Sequence, residues 1–209
     1  CADCTGHGVP GAFMSIIGNT LFNDIVKESD ETDPAAMLHS LENKMHELLH
    51  NDINDGMDLI LLSLDLTTGQ LDFSGAMRPL IHVSDDNVNL LKTGRDTIGG
   101  INTKKIFENS SIKLRSGDKV YIYTDGFTDQ FGGPKGRKMN TSGLITILKD
   151  FNGDPMNWQK EKIARIFEEW KGKEPQTDDV LLIGFRFENA YPAGKKALEN
   201  STHKTTASA

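Results

Sequence analysis

The chain of 209 residues predicts an α+β fold, and three observations carry that prediction. Two amphipathic helical stretches come first. A run of apolar segments joined by short turns follows. Two more helical stretches then precede one last apolar segment. Strands joined by hairpins, with helices grouped apart, build antiparallel sheets rather than a doubly wound parallel one.

The first helix is expected from Pro10 to Val26. Proline suits the first helical position, and Phe13, Ile16, Ile17, Leu21 and Ile25 recur at helical spacing. The charged stretch KESDETD interrupts the pattern. Asp33 can cap a second helix with Pro34 at its first position, running to about His50 with Met37, Leu38, Leu41, Met45, Leu48 and Leu49 on one side. From Asp58 the period changes. DLILLSLDL is a nearly continuous apolar run bounded by NDG and TTGQ, the pattern of a buried strand. QLDFSGA alternates as its return. PLIHV and VNLL flank the turn SDDN, and SSIKL and KVYIYTDG flank RSGD. GRDTIGGINTKK reads as a glycine-bearing loop, and QFGGPKGRKMNTSG as a polar, mobile one. Helices are expected at about 142–151 and 156–170, and VLLIGFRF is the closing strand. The organisation expected is one domain over residues 1–188 and a polar, disordered tail over 189–209, rich in Lys, Ser, Thr and Ala.

A chain of this length buries enough surface to fold without staples. Its formal net charge of -7 argues against nucleic acid as a partner, because a phosphate-backbone reader carries a basic face. No apolar run approaches the roughly 20 residues that cross a bilayer, and no signal-peptide pattern is present. The two cysteines, Cys1 and Cys4, lack the second ligand pair that zinc requires. The expected helix starts too late for a redox C-x-x-C. They read as small residues at a strand end in a reducing, cytoplasmic setting. The start without Met suggests a piece of a longer chain, with an upstream sensor or anchor outside it.

Three acidic clusters stand at element ends: Asp3 at the opening strand, Asp125 after KVYIYT, and Asp178 with Asp179 before VLLIGFRF. Strand interiors are packed, but strand ends project into a shared rim. Carboxylates gathered there repel one another unless a cation neutralises them. Hard oxygen donors without a Cys or His quartet select Mg²⁺ or Mn²⁺ over Zn²⁺. Taken singly, each has a plainer reading. Asp-Gly is a common turn dipeptide, and an isolated acid is usually a solvated loop residue. His7 is either a helix-flanking loop residue or a proton donor. An Asp-x-Asp nucleophile pair is excluded because Tyr123 occupies the nucleophile position before Asp125. No GxxxxGK[ST] phosphate loop is present.

The segments ADCTGHGVPGAFMS, GMDLILLSLD, FSGAMRPL, SGDKVYIYTDGFTDQFGG and QTDDVLLIGF occur in this order. As a set they resemble the SpoIIE-type branch of the metal-dependent protein phosphatases, bacterial relatives of protein phosphatase 2C, over about residues 1–188. The resemblance implies an αββα sandwich missing its first strands. It implies hydrolysis of phosphoserine or phosphothreonine on a signalling protein, such as a STAS-domain anti-sigma-factor antagonist. It also implies two Mn²⁺ or Mg²⁺ ions. Asp3 would bridge them, the Cys4 carbonyl would add a ligand, and Asp125 and Asp178 would hold one ion. Asp179 would occupy the neighbouring position. His7 is the candidate proton donor to the leaving oxygen, and Arg137 and Lys138 in FGGPKGRK are candidate substrate contacts. The resemblance also implies an upstream carboxylate for the second metal that this sequence lacks. Unpaired sheet edges would then invite a homodimer. A rival expectation from another class is a non-catalytic interaction module that keeps the fold and binds a partner through the helix pair near 10–50.

Overall fold

The computed structural model describes residues 1–6, 8–28, 32–49, 55–101 and 104–189. His7, His50 and nearly all of the expected tail lie outside them. The elements are β1 (Ala2–Cys4), α1 (Gly8–Glu28), α2 (Pro34–Leu49), β2 (Gly56–Leu64), β3 (Gln70–Ala76), β4 (Leu80–Ser84), β5 (Asn87–Leu91), β6 (Ile98–Gly99), β7 (Ser110–Lys113), β8 (Lys119–Tyr123), α3 (Asp125–Asp129), β9 (Phe131–Gly132), β10 (Arg137–Lys138), α4 (Asn140–Asp150), α5 (Met156–Lys171) and β11 (Leu182–Arg186).

Two antiparallel sheets form the centre. One runs β1-β2-β3-β7, with β6 also on β2. The other runs β11-β8-β4-β5. Period-two alternation along each strand sends side chains to two different cores. In β8, Val120 and Ile122, together with Leu80 of the neighbouring β4, face Ile60, Leu71 and Phe73 of the opposite sheet. Tyr121 and Tyr123 face the other way, onto Leu144, Leu148, Ile163 and Phe167 of α4 and α5. In β2, Met57 and Leu59 face Leu38, Leu41 and Met45 of α2. Three apolar interlayers therefore separate four layers in the order αββα.

The second helix begins as its cap residue dictates. Asp33 Oδ1 accepts from the Ala36 amide at 2.7 Å. Asn109 reinforces this start, accepting from the Ala35 amide at 2.9 Å and donating to Asp33 Oδ2. The first helix keeps part of its expected face, since Ile25 is buried and Ile17 and Leu21 pack against the core. Phe13 and Ile16 are exposed, whereas Gly11, Met14, Gly18 and Ile25 are buried. Gly18 comes close to the sheet, with the end of the Met57 side chain against its Cα. The inward side of α1 therefore combines these glycines with Ile17, Leu21 and Ile25, and leaves Phe13 and Ile16 outside it.

Two segments expected as loops carry short elements. Ile98 and Gly99 pair with Met57 and Gly56. The glycine-rich stretch after Asp129 forms the β9–β10 hairpin, which is tied to α5. The Gly133 amide donates to the Trp170 carbonyl at 2.7 Å, and Trp170 Nε1 donates to the Gln130 carbonyl at 3.0 Å. No described helix is long and apolar enough to cross a membrane.

Tyr121 donates its phenol proton to Gln159 Oε1 at 2.5 Å within the α5 interlayer. Burial pushes this phenol up to about 12. An unfolded tyrosine ionises near 10, so between these two values the folded chain holds a proton that the unfolded chain has lost. Stability is full below about pH 10 and falls as pH rises toward about 12. We expect the urea midpoint to drop across this window, and to drop less steeply in Tyr121→Phe. Equal slopes in the two proteins would contradict this.

Candidate metal centre at the mouth of the sandwich

The site sits where the chain passes from one sheet to the other. In β1 and β2, Asp3 lies directly opposite Asp58. Met57 and Leu59 face the helices and Ile60 faces the other sheet, so alternation turns Asp58 and its partner Asp3 toward the space between the sheets. Like charges directly opposite on neighbouring strands are destabilising. The compensating cation is Arg78, in the three-residue crossover between β3 and β4. Its guanidinium contacts Asp3 Oδ2 at 3.0 Å, Asp58 Oδ2 at 3.2 Å and Asp125 Oδ2 at 3.0 Å.

Asp125 arrives from the second sheet, one residue past Thr124 at the end of β8. Thr124 explains how this acid and the Asp178–Asp179 segment come together. Its amide donates to the Leu181 carbonyl at 3.0 Å. Its hydroxyl donates to the Asp179 carbonyl at 2.9 Å and accepts from the Leu181 amide at 3.0 Å. Gly126 completes the junction. A Cβ there would collide with the Asp179 carbonyl oxygen, and the Asp178 carbonyl carbon would be 3.4 Å away. The glycine after Asp125 thus permits a close backbone approach and begins a short helix rather than a hairpin turn.

Burial pushes the Asp3 carboxyl up to about 6. Arg78 opposes that rise, and the charges of Asp125 and Asp178 add to it. Asp3 and Asp125 share the Arg78 guanidinium. Asp3 therefore reports an acid cluster drawn from three chain segments. Among the described residues, no group of three or more Asp, Glu, His or Cys side chains is placed to hold a metal ion; the guanidinium stands among the acids instead. The donor set fits a hard divalent cation. It offers carboxylate oxygens, the hard donors such an ion takes, and a positive charge already stands among them.

The other expected site residues fall as follows. Asp178 Oδ1 accepts from the Asp179 amide at 2.7 Å, and both residues are exposed. Cys4 occupies an alternate position on β1. Cys1 exchanges backbone bonds with Ile60 and the Thr5 amide donates to Gly56. The ladder period therefore turns the Cys4 carbonyl away from β2, toward the open edge. Lys138 pairs with Asp129 at 2.6 Å, at the opposite end of α3 from Asp125. Arg137 is exposed beside it. His7 lies outside the described residues. Sequence reasoning missed Asp58 and Arg78. Both were visible as charges breaking apolar context, an Asp opening a buried strand and an Arg between an apolar strand end and Pro79.

The family model for stage II sporulation protein E matches residues 1–188. The chain belongs to the SpoIIE family. It is similar to the SiaA PP2C domain of Pseudomonas aeruginosa at 33% identity and a TM-score of 0.82, covering 90% of this chain and 74% of that one. It also resembles the SpoIIE phosphatase domain with part of its regulatory domain from Bacillus subtilis. There the identity is 20% and the TM-score 0.70, covering 91% of this chain and 53% of that one, so it spans about half of that structure. RsbX, solved in complex with magnesium, matches at 16% identity and a TM-score of 0.60, covering 88% of this chain and 77% of that one. These neighbours share the metal-dependent phosphatase fold. No curated protein matches the sequence.

The Gly126 junction yields a direct expectation. Gly126→Ala pushes the Asp179 backbone away from α3 and costs about 1–3 kcal/mol of stability through overpacking. A urea midpoint equal to that of the unmodified protein would show that the two segments are not held this tightly.

Proposed function

We propose that the chain carries the catalytic machinery of a divalent-metal-dependent protein serine/threonine phosphatase acting in signalling. The observation that carries this reading is the convergence of Asp3 and Asp125 on one buried guanidinium, within the electrostatic reach of Asp178. Such a gathering of acids has no packing value of its own, since each added carboxylate raises the cost of ionising the next. Membership of the SpoIIE family and the SiaA likeness support the same reading.

In this proposal Asp3, Asp125 and Asp178 hold Mn²⁺ or Mg²⁺, with the Cys4 carbonyl as a further donor and Asp179 alongside. RsbX with magnesium is the precedent among the fold neighbours. Bound ions supply acidified water and neutralise charge on the phosphoryl group. The residues of the chain do the remaining work. The carboxylates orient the centre at the open rim, where Asp125 is 44% exposed and a phosphoprotein can approach. His7, which follows β1 in the sequence, protonates the leaving serine oxygen. Arg137 and Lys138 meet the substrate beside the phosphate. The phosphoprotein is of the STAS-domain type, and residues 1–188 form the catalytic unit.

In the intact protein, Asp125→Asn and Asp178→Asn should each lose most Mn²⁺-dependent turnover of a phosphoserine protein while circular dichroism stays unchanged. Full activity in both variants would remove the ligand assignment. His7→Ala should slow phosphoserine hydrolysis by about 10²–10⁴-fold. It should slow p-nitrophenyl phosphate hydrolysis less, because that leaving group needs no proton. Equal losses on both substrates would remove the proton-donor role.

A further inference from the structure

We propose that Arg78, anchored by Asp58, is a positioning residue that sets the carboxylates of Asp3 and Asp125 for an incoming divalent cation. The inference rests on the metal-centre reading above and adds to it two residues outside the expected ligand set.

The backbone of Arg78 is fixed before its side chain reaches the acids. Met77 holds φ at +67°, a left-handed conformation that a side chain other than glycine adopts only under constraint. The constraint is visible. The Met77 amide donates to the Gly94 carbonyl at 2.9 Å and the Arg78 amide to the Ala76 carbonyl at 2.9 Å. Thr93 donates its hydroxyl to the Arg78 carbonyl at 2.8 Å. Pro79 follows and limits the chain further. The crossover therefore aims one side chain into the mouth between the sheets.

That side chain is only 10% exposed, and its Nε finds no hydrogen-bond partner in the protein. A buried donor left unsatisfied is costly, so the arrangement is not a packing optimum. The two terminal nitrogens account for its placement. Each contact with Asp3, Asp58 and Asp125 is made through Oδ2, which leaves one oxygen of each carboxylate outside the Arg78 contacts. The guanidinium spreads these contacts over two nitrogens, Nη2 to Asp3 and Asp58 and Nη1 to Asp125. A lysine ammonium, a point charge on a flexible stem, cannot do the same.

Asp58 gives the bracket its permanence. A divalent ion on Asp3 and Asp125 repels a guanidinium bound to the same two groups alone. A third carboxylate, held opposite Asp3 by strand register, keeps Arg78 in place. The competing idea is that Arg78 merely occupies the metal position and blocks it. The two ideas differ in the sign of one measurement.

That measurement is calorimetric titration of the purified intact protein with MnCl₂. Loss of a partner that orients a metal ligand weakens metal affinity by about 10- to 100-fold. Arg78→Met should fall in that range, Asp58→Asn should shift the same way by less, and Arg78→Lys should restore part of the loss. Unchanged or tighter Mn²⁺ binding in folded Arg78→Met overturns the proposal. If Arg78→Met does not fold, the Asp58→Asn and Arg78→Lys titrations decide by the same signs. Asp125→Asn serves as the control. If it binds Mn²⁺ like the unmodified protein, the metal-centre reading itself fails. If it loses binding while the Arg78 and Asp58 variants do not, only the bracket fails.

Discussion

Acids brought close together in a partly buried place repel strongly. Two carboxylates about 4 Å apart at an effective dielectric of about 20 oppose each other by roughly 4 kcal/mol. Here strand register sets Asp3 against Asp58, and the end of β8 adds Asp125. Arg78 answers all three charges from the β3–β4 crossover, where the chain passes from one sheet to the other. The constraint is mutual. Without the sandwich the acids do not meet, and without a cation the mouth of the sandwich does not close over them.

The layers exist to supply that geometry. Three apolar interlayers fix the sheets relative to each other and to the helix pairs. Such packing transmits small displacements rather than absorbing them. At the rim the apolar side chains give way to polar junctions with narrow tolerances. Thr124 binds the Asp179–Leu181 backbone on both its polar faces, and Gly126 leaves no room for a side chain. A metal centre needs ligands placed to a fraction of an ångström. Held junctions of this kind, rather than flexible loops, are where such placement is achievable.

Much of this was legible in the sequence. The αβ segmentation, the Asp33 cap and the alternation of the long strands follow from local spacing and propensity, and they appear nearly where expected. The acids at strand ends were legible because a charge ending an apolar run is a local anomaly. Three features were not. The exposure of Phe13 and Ile16 and the burial of Gly18 on α1 depend on what lies across the interface, where Gly18 meets Met57. The helix at Asp125 depends on the approach of Asp179, more than 50 positions later in the chain. The role of Arg78 depends on three partners from three separate segments. Local patterns report what a residue prefers, whereas these features are set by what it meets.

The account stands on the claim that the acids ringed around Arg78 take up a divalent ion, and anomalous diffraction from crystals soaked in MnCl₂ tests it directly. The account predicts a peak at the manganese edge bordered by the carboxylates of Asp3, Asp125 and Asp178, with Arg78 still on Asp58. Saturating manganese with no peak at that rim, or with peaks elsewhere on the surface, would contradict it.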